Sequence, residues 1–127
     1  MKKFENFCKA LKNLELAAEQ ESYSPLEETG FVAMFEICFE QSWKLLKVIL
    51  EREGIDESKT GSPRQILKSA YGAGILSDEK TWLEIFEDRN ILSHVYDADI
   101  IFKIKQKYLP TFQKLKSTVE IQGCDSV

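Results

Sequence analysis

The stretch Phe31-Val32-Ala33-Met34-Phe35-Glu36-Ile37-Cys38-Phe39-Glu40-Gln41-Ser42-Trp43-Lys44-Leu45-Leu46-Lys47-Val48-Ile49-Leu50 decides the fold of this chain. Phe31, Phe35, Cys38, Leu45 and Ile49 fall on one face of a helix with 3.6 residues per turn. Met34, Phe39, Leu46 and Leu50 widen that face into a band. A band of this width is expected to be buried on more than one side, as in the central helix of a bundle. The spacing predicts a helix from about Leu26 to Glu53, with Gly54 as its stop.

Outward from this helix the same periodicity repeats. Phe4, Phe7, Leu11, Leu14 and Ala18 mark one buried face of a first helix over about Lys2 to Glu21, and Ser22-Tyr23-Ser24-Pro25 punctuates the chain after it. Gly61-Ser62-Pro63 opens a short third helix. Ser62 suits the N-cap, Pro63 the first helical position, and Gln65 stands where a capping box would close. Gly72 and Gly74 end it. Ser77 or Asp78 caps a fourth helix, where Asp78 and Glu79 also favour the positive N-terminal dipole. Its stripe of Trp82, Ile85, Phe86, Arg89 and Ser93 turns from apolar to polar. Asp97 is the expected cap of a fifth helix carrying Ile101, Ile104, Tyr108, Phe112, Leu115 and Val119, with Pro110 predicting a kink. No segment alternates with a period of two for long enough to predict a strand. The expected fold is all-α, an antiparallel four- to five-helix up-and-down bundle, with residues 1–127 as one domain.

The 127 residues, 43% apolar and 11% aromatic, suffice for a packed core and exclude disorder as the default state. No internal repeat or low-complexity run interrupts them. No charged start leads into an apolar run with a small-residue cleavage site, and Glu, Lys or Gln breaks every apolar run before it could span a membrane. The three cysteines, Cys8, Cys38 and Cys124, are odd in number and far apart. Their spacing fits neither a disulfide framework nor a zinc site, so core filling is their simplest role. These signs together predict a cytoplasmic protein. The net charge of −4 excludes a globally basic nucleic-acid binder, so any contact with nucleic acid must come from a local patch or from two chains combined.

One such patch is present. His94 is the single histidine of the chain, and it stands five residues after Arg89 in Arg89-Asn90-Ile91-Leu92-Ser93-His94-Val95-Tyr96. On a continuous helix Asn90 and His94 share one stripe and Arg89 and Ser93 the next. If the helix frays after Leu92, His94 lies at a C-terminus, where the dipole favours imidazolium. In either case Arg89 and His94 can converge on one anion. Arginine presents a fixed fork of donors to phosphate oxygens, and histidine exchanges a proton near neutral pH. In RNA cleavage the 2′-hydroxyl is an internal nucleophile, so a base beside it and a cation beside the phosphate suffice without a metal ion or cofactor. Residue types alone also admit a plain reading, with His94 a helix-end residue and Arg89 paired to Glu84, Glu87 or Asp88.

Arg89-x-x-x-x-His94-x-Tyr96 resembles the motif of the HEPN superfamily, and most closely its nucleotidyltransferase substrate-binding branch. The stretches Phe39 through Lys47, Ser62 through Leu67, Trp82-Leu83-Glu84 and Glu87-Asp88-Arg89-Asn90 resemble the same branch, in the same order. The resemblance implies a helical bundle that forms a homodimer, with the Arg and His motifs of both chains at a shared cleft. It also implies a minimal nucleotidyltransferase as partner. Some members are toxins of toxin–antitoxin pairs, acting as metal-independent endoribonucleases that the nucleotidyltransferase neutralises by adenylylating the motif tyrosine. Carried over, the resemblance makes His94 the acid/base, Arg89 the phosphate clamp, Asn90 or Ser93 an auxiliary polar group and Tyr96 the modification acceptor. The ligand is then RNA. The alternative is a non-catalytic subunit that holds a nucleotide or substrate for a nucleotidyltransferase complex.

Two further features invite a functional reading. Lys103, Lys105, Lys107, Lys114 and Lys116 lie in the fifth helix with no acidic residue between Ile100 and Val119. They could form a basic rim guiding RNA, but no aromatic residues interleave as in a stacking platform, and a solvated face is the simpler expectation. Glu36, Glu40, Trp43 and Lys47 could line a pocket. The simpler account is a Trp at the edge of the core beside a Glu40–Lys44 helix pair.

Overall fold

The computed structural model describes residues 1–55, 61–92 and 98–122, with backbone alone at 90–92 and 98. All regular structure among them is helical: α1 (Lys2–Ala17), α2 (Pro25–Arg52), α3 (Pro63–Gly72), α4 (Glu79–Leu92), α5 (Ala98–Lys103), a π-helical turn (Ile104–Tyr108) and α6 (Leu109–Gln122). The all-α bundle expected from the periodicity is the fold observed. None of the described helices is long and apolar enough to cross a membrane.

Local chemistry sets most helix ends. At α2 the Ser24 Oγ accepts from the Glu27 amide at 3.2 Å and the Glu27 carboxylate accepts from the Ser24 amide at 2.9 Å. This reciprocal box, with Pro25 behind it, satisfies donors that have no partner within the helix. Ser62 caps α3 by accepting from the Gln65 amide at 3.3 Å. Of the two candidates for α4 it is Asp78 that caps, its carboxylate taking the Thr81 amide at 3.0 Å and the Thr81 hydroxyl at 2.6 Å. Gly54 and Gly74 both have positive φ, +75° and +83°. They supply the left-handed residue that ends a helix without a Cβ penalty. The first helix stops a turn short of the expected Glu21, because the Tyr23 hydroxyl donates to the Ala17 carbonyl and turns the chain there. The expected Asp97 cap lies outside the described residues.

The core follows the predicted stripes. Phe4, Phe7, Leu11 and Leu14 of α1 pack on Phe31, Phe35, Cys38, Phe39, Leu45, Leu46, Ile49 and Leu50 of α2, all buried. Trp82 and Ile85 of α4 and Ile104, Tyr108, Phe112, Leu115 and Val119 of the C-terminal helices complete it. Phe112 is its aromatic centre, 6.5 Å from the Phe7 ring, 6.2 Å from Phe35 and 5.5 Å from Trp82. The chain reaches Pro110 by a particular route. The turn before it widens to a π-helix, with the Leu109 amide bonded to the Ile104 carbonyl, so the helix reaches Pro110 already displaced from α-register. Cys38 fills core space, and burial raises its thiol well above the ordinary range. Cys8 is partly buried against the core, and Cys124 lies outside the described residues.

The predicted α2 band is buried as expected, with α1, α3, α4 and α5 packed against the helix. Met34 alone of its residues departs, at 36% exposed, and Ile37, outside the band, is 54% exposed.

Candidate functional site

Arg89 stands near the C-terminal end of α4, and the path of that helix places it beside α2. Its guanidinium carbon lies 5.2 Å from the centre of the Phe39 ring and 5.3 Å from that of Phe86. Phe86 is one turn earlier on α4, so the sequence itself supplies one ring, and packing of α4 on α2 supplies the other. The two rings are 6.1 Å apart and tilted by 48°. A guanidinium held against two π-faces loses rotamer freedom while keeping its full charge.

Glu40 completes the surroundings. Its carboxylate is 3.7 Å from Arg89 Nη1 and 3.7 Å from Lys44 Nζ, and it accepts the Trp43 indole N–H at 3.2 Å. At 3.7 Å the Arg89 contact is Coulombic and too long for a hydrogen bond. The Arg89 side chain is 24% exposed, oriented by protein yet open to solvent along one edge. Gln41, next along α2, has a buried amide oxygen with no hydrogen-bond partner among the described residues.

The three local carboxylates that might have paired with Arg89 have other partners. Glu87 is 3.7 Å from Arg64 of α3. Glu84 and Asp88 hold Lys103 at 2.7 and 2.9 Å, and Glu84 also takes Lys107 at 2.6 Å. The buried Tyr108 hydroxyl donates to Asp88, and Lys103 Nζ lies 5.5 Å from the Tyr108 ring centre. Burial works against the Lys103 charge, but its bonds to Glu84 and Asp88 outweigh this and raise its pKa. The Tyr108 hydroxyl is pushed up by burial first and by Asp88 second. The Glu84 carboxyl is held below the usual range by Lys103 and Lys107.

Lys103 and Lys107 are therefore engaged by α4 carboxylates and not merely solvated, whereas Lys114 is exposed. Lys105 is also engaged, donating to the Gln20 carbonyl at 2.6 Å with its Nζ 4.6 Å from the Tyr23 ring centre. The edge-of-core reading of Trp43 holds, with its Glu40–Lys44 pair in place. No local pattern signals that Glu40 also faces Arg89, because the two are 49 residues apart and only helix packing joins them. Of the predicted site residues, then, Arg89 is placed with its contacts and Asn90 follows it in α4. Ser93, His94 and Tyr96 lie outside the described residues.

Residues 2–121 match the family model described as "Nucleotidyltransferase substrate binding protein like". The chain belongs to this family. The HEPN-type assignment suggested by the motif and its flanking stretches is thereby borne out. Among curated proteins, this family member is 32% identical over 72 residues to "Probable ribonuclease HepT" of Haemophilus influenzae, an alignment covering 55% of this chain and 49% of that protein. The chain thus spans about half the length of that relative. Among solved structures it resembles the crystal structure of a Thermus thermophilus protein, with a TM-score of 0.72 and 29% identity over 91% of this chain and 97% of the other.

Proposed function

We propose that this protein is the HEPN-type partner of a minimal nucleotidyltransferase, a cytoplasmic toxin of a toxin–antitoxin pair that cleaves RNA without a metal ion. The observation that carries the reading is Arg89, fixed by the Phe39 and Phe86 rings beside Glu40 and still open to solvent. A cation oriented in advance stabilises phosphate charge in a transition state without reorganisation. Arg89 clamps the phosphate, His94 moves the proton, and Asn90 or Ser93 assists. Tyr96 accepts an adenylyl group from the nucleotidyltransferase, which neutralises the protein. Two chains act together as a homodimer. The family description and the name of the Haemophilus relative support this reading.

The test is RNA cleavage by purified protein in the presence of chelator. His94→Ala should abolish it. Arg89→Lys should lower it strongly, because an ammonium keeps the charge but loses the planar fork and its fit to the two rings. Cleavage unaffected by His94→Ala rejects the reading.

A second reading is supported by the lysines. With Lys103 and Lys107 engaged by Glu84 and Asp88 and a net charge of −4, the surface offers little to a long polyanion. Here Arg89 and His94 bind a nucleotide without turnover, as part of a nucleotidyltransferase complex. Co-purification with that enzyme, and nucleotide binding lost in Arg89→Ala without any RNA cleavage, would favour this second reading.

A further inference from the structure

Glu40 is an unexpected neighbour for a cation assigned to phosphate. A carboxylate beside the guanidinium opposes every anion that approaches it, yet the fold holds this one in place. Its Oε2 accepts the Trp43 indole N–H at 3.2 Å, and the same oxygen lies 3.7 Å from Arg89 Nη1. Oε1 is 3.7 Å from Lys44 Nζ. Trp43 and Lys44 stand three and four residues after Glu40, so helix geometry alone brings both to it. Phe39, the residue before Glu40, carries the guanidinium against its ring. Successive positions of α2 thus supply the seat of Arg89 and a negative charge beside it.

The distances say how that charge acts. A carboxylate that served to orient the guanidinium would accept hydrogen bonds from it at about 2.7–2.9 Å. Glu40 stays 3.7 Å away, so it acts through its field. That field reaches the ligand position. An anion on the open edge of so compact a group as a guanidinium sits within about one Debye length of the Glu40 charge, roughly 8 Å at physiological salt. The Glu40 side chain is itself 38% exposed, so water moderates the effect without removing it.

We infer that Glu40 selects the charge of the ligand at Arg89. It admits the singly charged phosphodiester inside an RNA chain and disfavours the doubly charged phosphate of a free nucleotide or a chain end. A phosphate monoester carries close to two negative charges above its second pKa of about 6, whereas a diester carries a single one. A guanidinium alone favours the dianion, because attraction grows with charge. Glu40 repels the same extra charge and offsets that gain. Specificity then comes from an unfavourable contact with the wrong ligand. Without it, free nucleotides and inorganic phosphate would compete with RNA for the guanidinium. Trp43 and Lys44 keep the carboxylate where it repels a second charge without closing on Arg89. The inference rests on Arg89 as the phosphate clamp of the proposed function and specifies the charge class of what it clamps.

Titration calorimetry of the full chain with 5′-AMP and with its methyl ester tests it. The two share base and sugar and differ by one phosphate charge at about pH 7.5. Neither is a cleavage substrate, because no 2′-hydroxyl adjoins the phosphate. Wild type should bind them with affinities within roughly threefold of each other. Glu40→Gln keeps the size and removes the charge. It should bind the methyl ester roughly threefold tighter and 5′-AMP roughly tenfold tighter, since repulsion scales with ligand charge. Trp43→Phe keeps a ring but removes the donor that holds Oε2, so Glu40 can close on Arg89. Both ligands should weaken, and adding Glu40→Gln should restore them. Equal tightening of both ligands in Glu40→Gln, or none, overturns charge selection and leaves the clamp standing. Weakening of both would make Glu40 an orienting group and also overturns it. Affinities unmoved by Trp43→Phe overturn the tether. Absence of binding to wild type, or binding unmoved by Arg89→Ala, rejects the clamp itself and the inference with it. The chelator assay with His94→Ala is independent of all these outcomes.

Discussion

Replacing Lys103 by methionine separates two accounts of the lysine-rich C-terminal helices. If Lys103 were part of a basic rim, the substitution would weaken RNA retention and leave the fold alone. The structure predicts the reverse. Lys103 donates to Glu84 at 2.7 Å and to Asp88 at 2.9 Å with its side chain 35% exposed. Charge-assisted bonds of this kind contribute about 1.5–3 kcal/mol when buried, and fully exposed pairs about 0.2–1 kcal/mol. Partial exposure screens this site, and each carboxylate keeps a second partner, Lys107 for Glu84 and Tyr108 for Asp88. Methionine retains the apolar stem. The expected loss is therefore about 1.5 kcal/mol, equivalent to roughly 5 °C in melting temperature for a chain of this size. Thermal unfolding followed by far-ultraviolet circular dichroism reads it, and added salt should narrow the gap to wild type. In a double-mutant cycle with Glu84→Gln the two losses should fall short of additivity by about 0.5–1 kcal/mol. An unchanged melting temperature with weakened RNA retention would refute the brace and restore the rim.

Acid should destabilise the protein in a defined window. Glu84 and Asp78 titrate below their ordinary values of 4.5 and 3.8, through Lys103 and Lys107 for the first and Thr81 for the second. A depressed folded-state value contributes stability that is complete above the unfolded value and lost as pH falls through the folded one. Melting temperature should therefore be insensitive to these groups near neutral pH and fall below about pH 4.5, with a shallower fall in Glu84→Gln. Asp78→Ala removes the α4 cap and should cost about 1 kcal/mol in thermal or denaturant unfolding. Tyr108→Phe keeps the buried ring but strands part of Asp88, and should cost about 1 kcal/mol by the same measurement. Cys38 should resist a thiol reagent in the folded protein and react at the rate of global unfolding, because it is fully buried with a raised thiol.

Features encoded by neighbouring residues were legible in the sequence. Periodicity placed the buried faces of Phe4–Phe7–Leu11–Leu14 and Trp82–Ile85, and turn chemistry placed Ser62, Gly54 and Gly74. Pro110 marked a departure from regular α-helix, but the π-turn before it was not legible, since that depends on which carbonyl the Leu109 amide finds. What escaped depends on packing between distant segments. Glu40 meets Arg89, and Lys103 meets Glu84, only because α4 lies between α2 and the C-terminal helices. A helical wheel also cannot fix the edge of a buried band, so Met34 looked like core although it is 36% exposed. Arg89 itself was found by its residue type and its motif, whereas the two rings that hold it were visible only as core aromatics.

The charges of α4 bear directly on the anion site proposed at Arg89. Glu84, Glu87 and Asp88 precede Arg89 within two turns and could have neutralised it. Each is drawn instead to a cation on another element: Glu84 and Asp88 to Lys103 and Lys107, Glu87 to Arg64. Under the proposed function, Lys103 and Lys107 would serve the site indirectly, by occupying carboxylates that would otherwise compete for the guanidinium. Glu40, held by Trp43 and Lys44, lies beside Arg89 at a Coulombic distance. Replacing Lys103 and Lys107 together should free Glu84 and Asp88 to compete for Arg89. Phosphate affinity should then fall even though neither lysine lies against the guanidinium, and single substitutions should show much less of the effect. Phosphate affinity unchanged in the double variant would mean that the α4 carboxylates never compete, and that the aromatic seat alone keeps Arg89 available.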